Sequence, residues 1–124
     1  MGPAIEIRCA DGTLEACPVT SSLVFAVSGN REAVFLSAYA EPAWKDVGRL
    51  FYFAKEGGGL AIAPAGEGAR ASERTVRLSP EHEPGRYRVY AFVADRALGP
   101  DDMRWQRGGD ATLAKVRVEV VIAE

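Results

Sequence analysis

Segment 84–93, which reads Pro-Gly-Arg-Tyr-Arg-Val-Tyr-Ala-Phe-Val, constrains the fold of this chain most strongly. Pro84 and Gly85 are typical turn residues, and the β-branched and aromatic residues behind them favour a long strand. Alternate positions fall on opposite faces of a strand, and here both faces carry large apolar side chains. A strand that is apolar on both faces is typical of the interior of a sheet, so we expect segment 84–93 to form a central strand of an antiparallel β-domain.

Alternation of apolar and polar residues predicts strands in most of the remaining chain. The predicted strands besides segment 84–93 lie at 5–9, 22–27, 33–40, 50–53, 60–62, 75–78 and 113–122. One short helix is predicted near residues 100–107, because Pro100 and two acidic residues suit a first helical turn and Gly108 ends it. About eight short strands with turn residues between them predict an all-β fold, a single antiparallel β-sandwich of the immunoglobulin-like or transthyretin-like kind.

The length and charge of the chain limit its organisation and its partners. At 124 residues it is predicted to form one domain over 1–124, and Met1-Gly2-Pro3 leading almost directly into a strand suggests a domain excised from a longer chain. The 15 basic and 17 acidic residues give a formal net charge of −2, which argues against nucleic acid and anionic lipid as partners. No apolar run is long enough for a membrane span, so direct membrane insertion by this segment is not expected.

Cys9 and Cys17 are the two cysteines of the chain, and with one histidine they are too few for a zinc site. Asp11-Gly12 is a strong signal for a two-residue hairpin turn, which would place Leu14 rather than Cys17 opposite Cys9. A wider loop would instead allow a Cys9–Cys17 disulfide in an oxidising compartment. The sequence leaves both alternatives open, including two unbonded cysteines that pack as small apolar residues.

The residues that could carry catalysis are few. His82 is flanked by Glu81 and Glu83, but the prolines on either side predict a solvated loop, and one histidine supplies one strong metal ligand at most. The Gly57-Gly58-Gly59 run lacks the Gly-Lys-Ser/Thr ending of a phosphate-binding loop. We therefore predict that the chain is not an enzyme and that it uses no cofactor and no metal.

Exposed aromatic residues and a sheet edge are the candidates for partner binding. Trp44 and Trp105 lie in predicted loop or helix segments, and Trp105 has Arg104 beside it. Such aromatic and cationic side chains are common in protein interfaces. The strand predicted at 113–122 is the best candidate for an edge strand, and Val121 is the position at which an added charge would test pairing with a partner.

A succession of motifs in the first hundred residues resembles a known family. It comprises Cys17-Pro18, the apolar segments 23–27 and 35–40, the aromatic segment 51–53, and the run Ser-Pro-Glu-His-Glu-Pro-Gly-Arg-Tyr at 79–87. This succession, over roughly residues 15–98, resembles a bacterial β-sandwich domain family of unknown function. Members of that family lie at the extracytoplasmic C-terminal end of membrane-anchored regulators, including anti-sigma-factor-like proteins, or are appended to kinases and peptidases. The resemblance implies a periplasmic or otherwise extracytoplasmic location and no catalytic residues.

These observations lead to two functional hypotheses. The first is a non-catalytic interaction or sensory module of a larger, membrane-anchored bacterial regulatory protein, which binds a protein partner through loops or an edge strand. Its oligomeric state is open, and pairing of edge strands into a dimer is one form that it could take. The alternative is a small-molecule-binding or hydrolytic domain with a pocket near His82 and the 56–72 loop, which would require a concave site at that histidine.

Overall fold

The computed structural model describes residues 2–44, 49–53, 59–65, 70–97 and 112–124. Every regular element in these ranges is a strand, and no helix long and apolar enough to cross a membrane occurs in them. The strands are β1 (Ala4–Cys9), β2 (Cys17–Pro18), β3 (Ser22–Ser28), β4 (Val34–Pro42), β5 (Leu50–Tyr52), β6 (Leu60–Ile62), β7 (Ser72–Arg77), β8 (Gly85–Ala94) and β9 (Thr112–Ala123). The all-β prediction is confirmed, whereas the helix predicted near 100–107 lies outside the described residues.

The strands form two sheets. The smaller sheet has the order β1-β3-β7, and the larger has the order β2-β9-β8-β4-β5, with β6 pairing to the other part of β4. All pairs are antiparallel except β2 with β9. β8 lies between β9 and β4, so the interior position predicted for segment 84–93 is correct.

The core fills the space between the two sheets. Each strand contributes alternate residues to it, which is the reason the period-2 pattern predicted the strands. Phe25, Leu36 and Val89 are almost completely buried there, as is Leu78, which follows β7 directly. The other buried side chains of this core include Ile7, Cys17, Leu23, Val27, Ala38, Ile62, Tyr87, Val93, Val120 and Ile122.

The chain after β1 forms the wider loop rather than a two-residue hairpin at Asp11-Gly12. Cys9 lies opposite Leu23 of β3, and the amide of Ala10 continues that ladder by donating to the carbonyl of Ser22 at 2.9 Å. Of the alternatives that the sequence left open, the wider loop with a Cys9–Cys17 disulfide is the one that forms. Residues 10–16 form a wider loop, closed by a short bridge between Thr13 and Ala16, and β2 follows it.

A second apolar cluster covers the outer face of the larger sheet. Tyr39 of β4 stacks on Tyr90 of β8, with ring centroids 4.8 Å apart and planes 21° from parallel. Phe92 and Phe51 pack on either side of Tyr39, and the Arg49 guanidinium lies 5.3 Å from its ring centroid. The apolar second face of β8 therefore packs against neighbouring side chains of its own sheet, outside the space between the sheets.

Candidate functional site

The outer edge of β9 is the candidate site. On one side β9 pairs with β8 without interruption from Ala114 to Ile122, whereas on the other side β2 pairs only with Ile122 and Ala123. Two further hydrogen bonds close this end: the Val121 amide donates to the Leu14 carbonyl and the Val19 amide donates to the Ala123 carbonyl, each at 2.7 Å. Within the described ranges no strand pairs with this edge before Val121, so residues 115–119 form a stretch that we call the open edge.

The hydrogen bond from the Val121 amide shows which backbone groups of the open edge point away from β8. The Val121 amide points away from β8, and outward-pointing residues recur at every second position of an antiparallel strand. The outward backbone groups are therefore those of Lys115, Arg117 and Glu119. A register shift between Val93 and Ala94 of β8 interrupts the regular ladder near residue 113, so the regular part of the edge is limited at both ends.

Side chains give the open edge one charged face and one apolar face. Lys115, Arg117 and Glu119 are exposed on the outer face. Val116 and Val118 point toward the smaller sheet but remain only half-buried. An added strand would satisfy the outward backbone groups, cover the valines and meet a row of charges of both signs.

Arg86 of β8 forms a weak ion pair with Glu119 of the open edge. Its guanidinium forms an ion pair with Glu119 at 3.1 Å, and more than half of each side chain is exposed to solvent. Because water screens an exposed pair, this contact contributes little to stability and leaves Glu119 available for another cation.

The disulfide between Cys9 and Cys17 supports the closed end of the edge. Both cysteines are buried, their Cα atoms are 5.8 Å apart, and the described chain holds no other cysteine. The bridge ties the end of β1 to β2, and the Leu14 carbonyl that binds β9 lies in the loop between them. Ser21 anchors the same loop, because its hydroxyl donates to the Asp11 carboxylate at 2.9 Å and accepts from the Asp11 amide at 3.0 Å.

Val121, the position chosen from the sequence to test pairing, lies at the closed end of the edge. Its amide is already bonded to Leu14 and its side chain is half-buried, so it is not part of the free edge. No local pattern indicates this contact, because Leu14 lies far from β9 in the sequence, in the loop that the Cys9–Cys17 bridge closes. Arg117, at the middle of the open edge, takes its place as the test position.

Trp44 is exposed but already packed against the fold. Its side chain is 44% exposed, and its ring meets Tyr87 edge-on at a centroid distance of 5.0 Å. A Cβ atom on Gly85 would lie 2.5 Å from the Trp44 ring, so the ring lies directly over the glycine backbone. The other two residues predicted for partner binding, Trp105 and Arg104, lie outside the described residues.

His82 is buried, which contradicts the prediction of a solvated loop. Its Nδ1 lies 2.9 Å from the Leu78 carbonyl, which can only accept, so Nδ1 carries the proton and Nε2 accepts from the Tyr52 hydroxyl at 2.6 Å. Burial lowers the pKa of His82, outweighing the opposite effect of its hydrogen bond to Leu78, and burial raises the pKa of Tyr52. Both ring nitrogens are thus engaged inside the core. The alternative hypothesis placed a pocket near this histidine and the 56–72 loop; part of that loop lies outside the described residues, so the hypothesis stays a prediction.

The comparisons with known proteins support the architecture. No family model matches the chain, and no curated protein matches it either. A solved structure that resembles it is the CARDB domain of the PF1109 protein from Pyrococcus furiosus, which was crystallised in complex with di-metal ions. The alignment covers 98% of this chain and 90% of that domain at 11% sequence identity, with a TM-score of 0.50.

This likeness concerns the fold alone. In the described part of this chain no group of three or more His, Cys, Asp or Glu side chains is placed to hold a metal ion. The similarity to a CARDB domain shows that the chain folds as a β-sandwich-like domain, whereas its resemblance to domains of membrane-anchored regulators stays a prediction.

Proposed function

We propose that the protein is a non-catalytic interaction module that binds an extended segment of a protein partner along the open edge of β9. The observation that carries this proposal is the contrast between the two ends of one strand. Leu14 and β2 close the edge at Val121 and Ile122, whereas residues 115–119 pair with no described strand. Outward amide and carbonyl groups at alternate residues are what an added β-strand requires.

The side chains of the open edge would determine which segment binds. Lys115 and Arg117 would favour a strand with an acidic residue opposite them, and Glu119 would favour a basic residue. Val116 and Val118 would select apolar residues at the alternating positions, because those side chains would be buried against the margin of the core. The preferred ligand is thus an extended segment in which apolar residues alternate with charged ones.

We further propose that the module acts outside the cytoplasm, as part of a larger bacterial regulatory protein. The resemblance over residues 15–98 supports this setting. The Cys9–Cys17 bridge supports it as well, since disulfides persist in oxidising compartments and are rare in the cytosol.

The test uses a displayed library of linear peptides and two substitutions at one position. Arg117→Pro removes the outward amide, and it leaves the ladder to β8 intact because that ladder uses the residues on either side. Arg117→Thr is the matched control, because it removes the same charge and keeps the amide. We expect peptides selected on the natural protein to bind Arg117→Thr and to lose at least tenfold in affinity for Arg117→Pro.

Thermal unfolding of both variants would show that each is folded before binding is compared. Selection of no peptide, or selection of peptides that bind Arg117→Pro as well as Arg117→Thr, would contradict binding through the backbone of this edge. Peptides that respond only to loop substitutions would move the site to the ends of the sandwich.

A further inference from the structure

We infer that one occupant of the open edge is a second copy of this chain, paired antiparallel about a two-fold axis at Arg117. This inference rests on the proposed function, since it identifies a partner for the same edge. Antiparallel pairing of two identical strands has few possible registers. The outward residues 115, 117 and 119 of one copy must face outward residues of the other, because only these exchange backbone hydrogen bonds. The two-fold axis that relates the copies must then pass through the position of one residue.

The charges on the outer face and the closed end of the edge together distinguish these registers. An axis at Val116 would place Lys115 opposite Arg117 of the second copy, which sets two cations against each other twice. An axis at Val118 would place Arg117 opposite Glu119 in two complementary pairs. It would also bring Lys115 opposite Val121, whose amide is already bonded to Leu14, so only two facing pairs could form. An axis at Arg117 places Lys115 opposite Glu119 of the second copy, and Glu119 opposite Lys115, so two complementary pairs form.

The axis at Arg117 also fits the length and the apolar face of the open edge. Its paired residues run from 115 to 119, which is the stretch between the register shift and the closed end. Three facing pairs that each exchange two backbone hydrogen bonds give about six bonds between the copies. On the inner face, Val116 would pack against Val118 of the second copy, and both are half-buried in the single chain.

Two features on the outer face oppose the pairing weakly. The two Arg117 side chains would face each other at the axis, but each has Glu119 of the second copy as a diagonal neighbour. Glu119 would also have to share its bond to Arg86, an exposed ion pair that rearranges at little cost. The two new Lys115–Glu119 pairs lie on either side of these contacts.

Charge reversal gives the first test, with sedimentation equilibrium as the measurement. Lys115→Glu and Glu119→Lys should each weaken dimer formation at least tenfold, because each sets like charges opposite one another at two places. The double variant should recover most of the loss, since it exchanges the signs and restores both pairs. Arg77→Glu, an exposed charge reversal on the edge strand β7 of the smaller sheet, is the control and should leave dimer formation unchanged.

Cysteine cross-linking tests the register. At the axis the two Arg117 Cα atoms would lie about 5.5 Å apart, within the range that a disulfide spans, so Arg117→Cys should form a covalent dimer under mild oxidation. Lys115→Cys would lie opposite Glu119 rather than opposite its own copy, about 13 Å away along the strand, and should stay unlinked. Cys9 and Cys17 are buried and bonded to each other, so they do not compete.

A protein that remains monomeric at every concentration, with Arg117→Cys unlinked, would overturn this inference. If such a monomer still selects peptides through the Arg117 amide, the proposed function stands without the dimer. A dimer in which Lys115→Cys links as readily as Arg117→Cys, or in which the double charge variant does not recover, would overturn the register.

Discussion

Reduction of the Cys9–Cys17 disulfide should lower the stability of the fold by an amount that follows from its loop. The two cysteines are eight positions apart, so the bridge closes a loop of about nine residues. In the chain-entropy account, the bridge lowers the conformational entropy of the unfolded chain, and reduction should therefore lower the free energy of unfolding by roughly 2.5 kcal/mol at 25 °C. With an unfolding entropy of about 0.26 kcal/mol/K for 124 residues, the melting temperature should fall by roughly 10 °C.

The assay is urea unfolding with and without a reductant, on one sample of the natural protein. Because both cysteines are buried, the reduced form is prepared by unfolding in reductant and refolding, and thiol counting shows that reduction is complete. The Cys9→Ala/Cys17→Ala variant is the control, and its transition should not respond to the reductant. Coinciding transitions of the oxidised and reduced natural protein would refute the reasoning.

The same reduction should act locally on the closed end of the β9 edge. The loop that the bridge closes carries the Leu14 carbonyl, which accepts from the Val121 amide. Hydrogen exchange at Val121 should therefore accelerate more than exchange at Val118, which lies opposite Val89 in the ladder with β8. Equal acceleration at both amides would show that the bridge affects only global stability.

Three further predictions concern the buried histidine and the tryptophan. Burial lowers the pKa of His82 in the folded state, so the neutral histidine stabilises the fold fully above its ordinary pKa of about 6.5. This stabilisation is lost as the pH falls below that value. The urea midpoints at pH 7.5 and pH 5 should therefore differ more for the natural protein than for His82→Gln. Tyr52→Phe removes the donor to His82 Nε2 and should cost about 1–3 kcal/mol in urea unfolding, whereas an unchanged midpoint would mean that the bond contributes nothing. Gly85→Ala should destabilise by about 1–3 kcal/mol because its Cβ meets the Trp44 ring, and the cost should shrink in a Trp44→Ala background; an equal cost in both would place the strain in the backbone alone.

The strands of this fold could be predicted from local sequence because each has a face in the core. Segment 84–93 was expected in the interior of a sheet, and β8 lies there between β9 and β4. β2 was missed because it has only two residues, too few to show a period. The helix predicted near 100–107 falls outside the described residues, so it stays a prediction.

Local sequence left the answer open, or predicted it wrongly, where contacts between distant segments outweigh local preference. Asp11-Gly12 favours a tight turn, but the pairing of Cys9 with Leu23 continues through Ala10 and carries the chain past it. His82 has the flanking sequence of a solvated loop, yet Tyr52 and Leu78, which no local pattern places beside it, supply partners for both ring nitrogens. The sequence also placed the candidate edge at 113–122, and within the described residues β9 pairs on its outer side with β2 at Ile122 and Ala123 alone. The contact that closes this end comes from Leu14, in a loop whose path the sequence did not resolve.

Charges on an edge strand commonly prevent association, so those on β9 require an explanation if the edge binds. A row of like charges would repel any second copy, which is the usual protection of an edge. Here Lys115, Arg117 and Glu119 alternate with half-buried valines and carry both signs. Such a row opposes the register centred on Val116, in which Lys115 would face Arg117. It suits the register proposed above, in which Lys115 would face Glu119, so it would provide specificity as well as protection. The register shift near residue 113 and the closed end at Val121 leave only a short regular stretch between them. A stretch of this length opposes the addition of long strands, and it would accommodate the five-residue pairing proposed about Arg117.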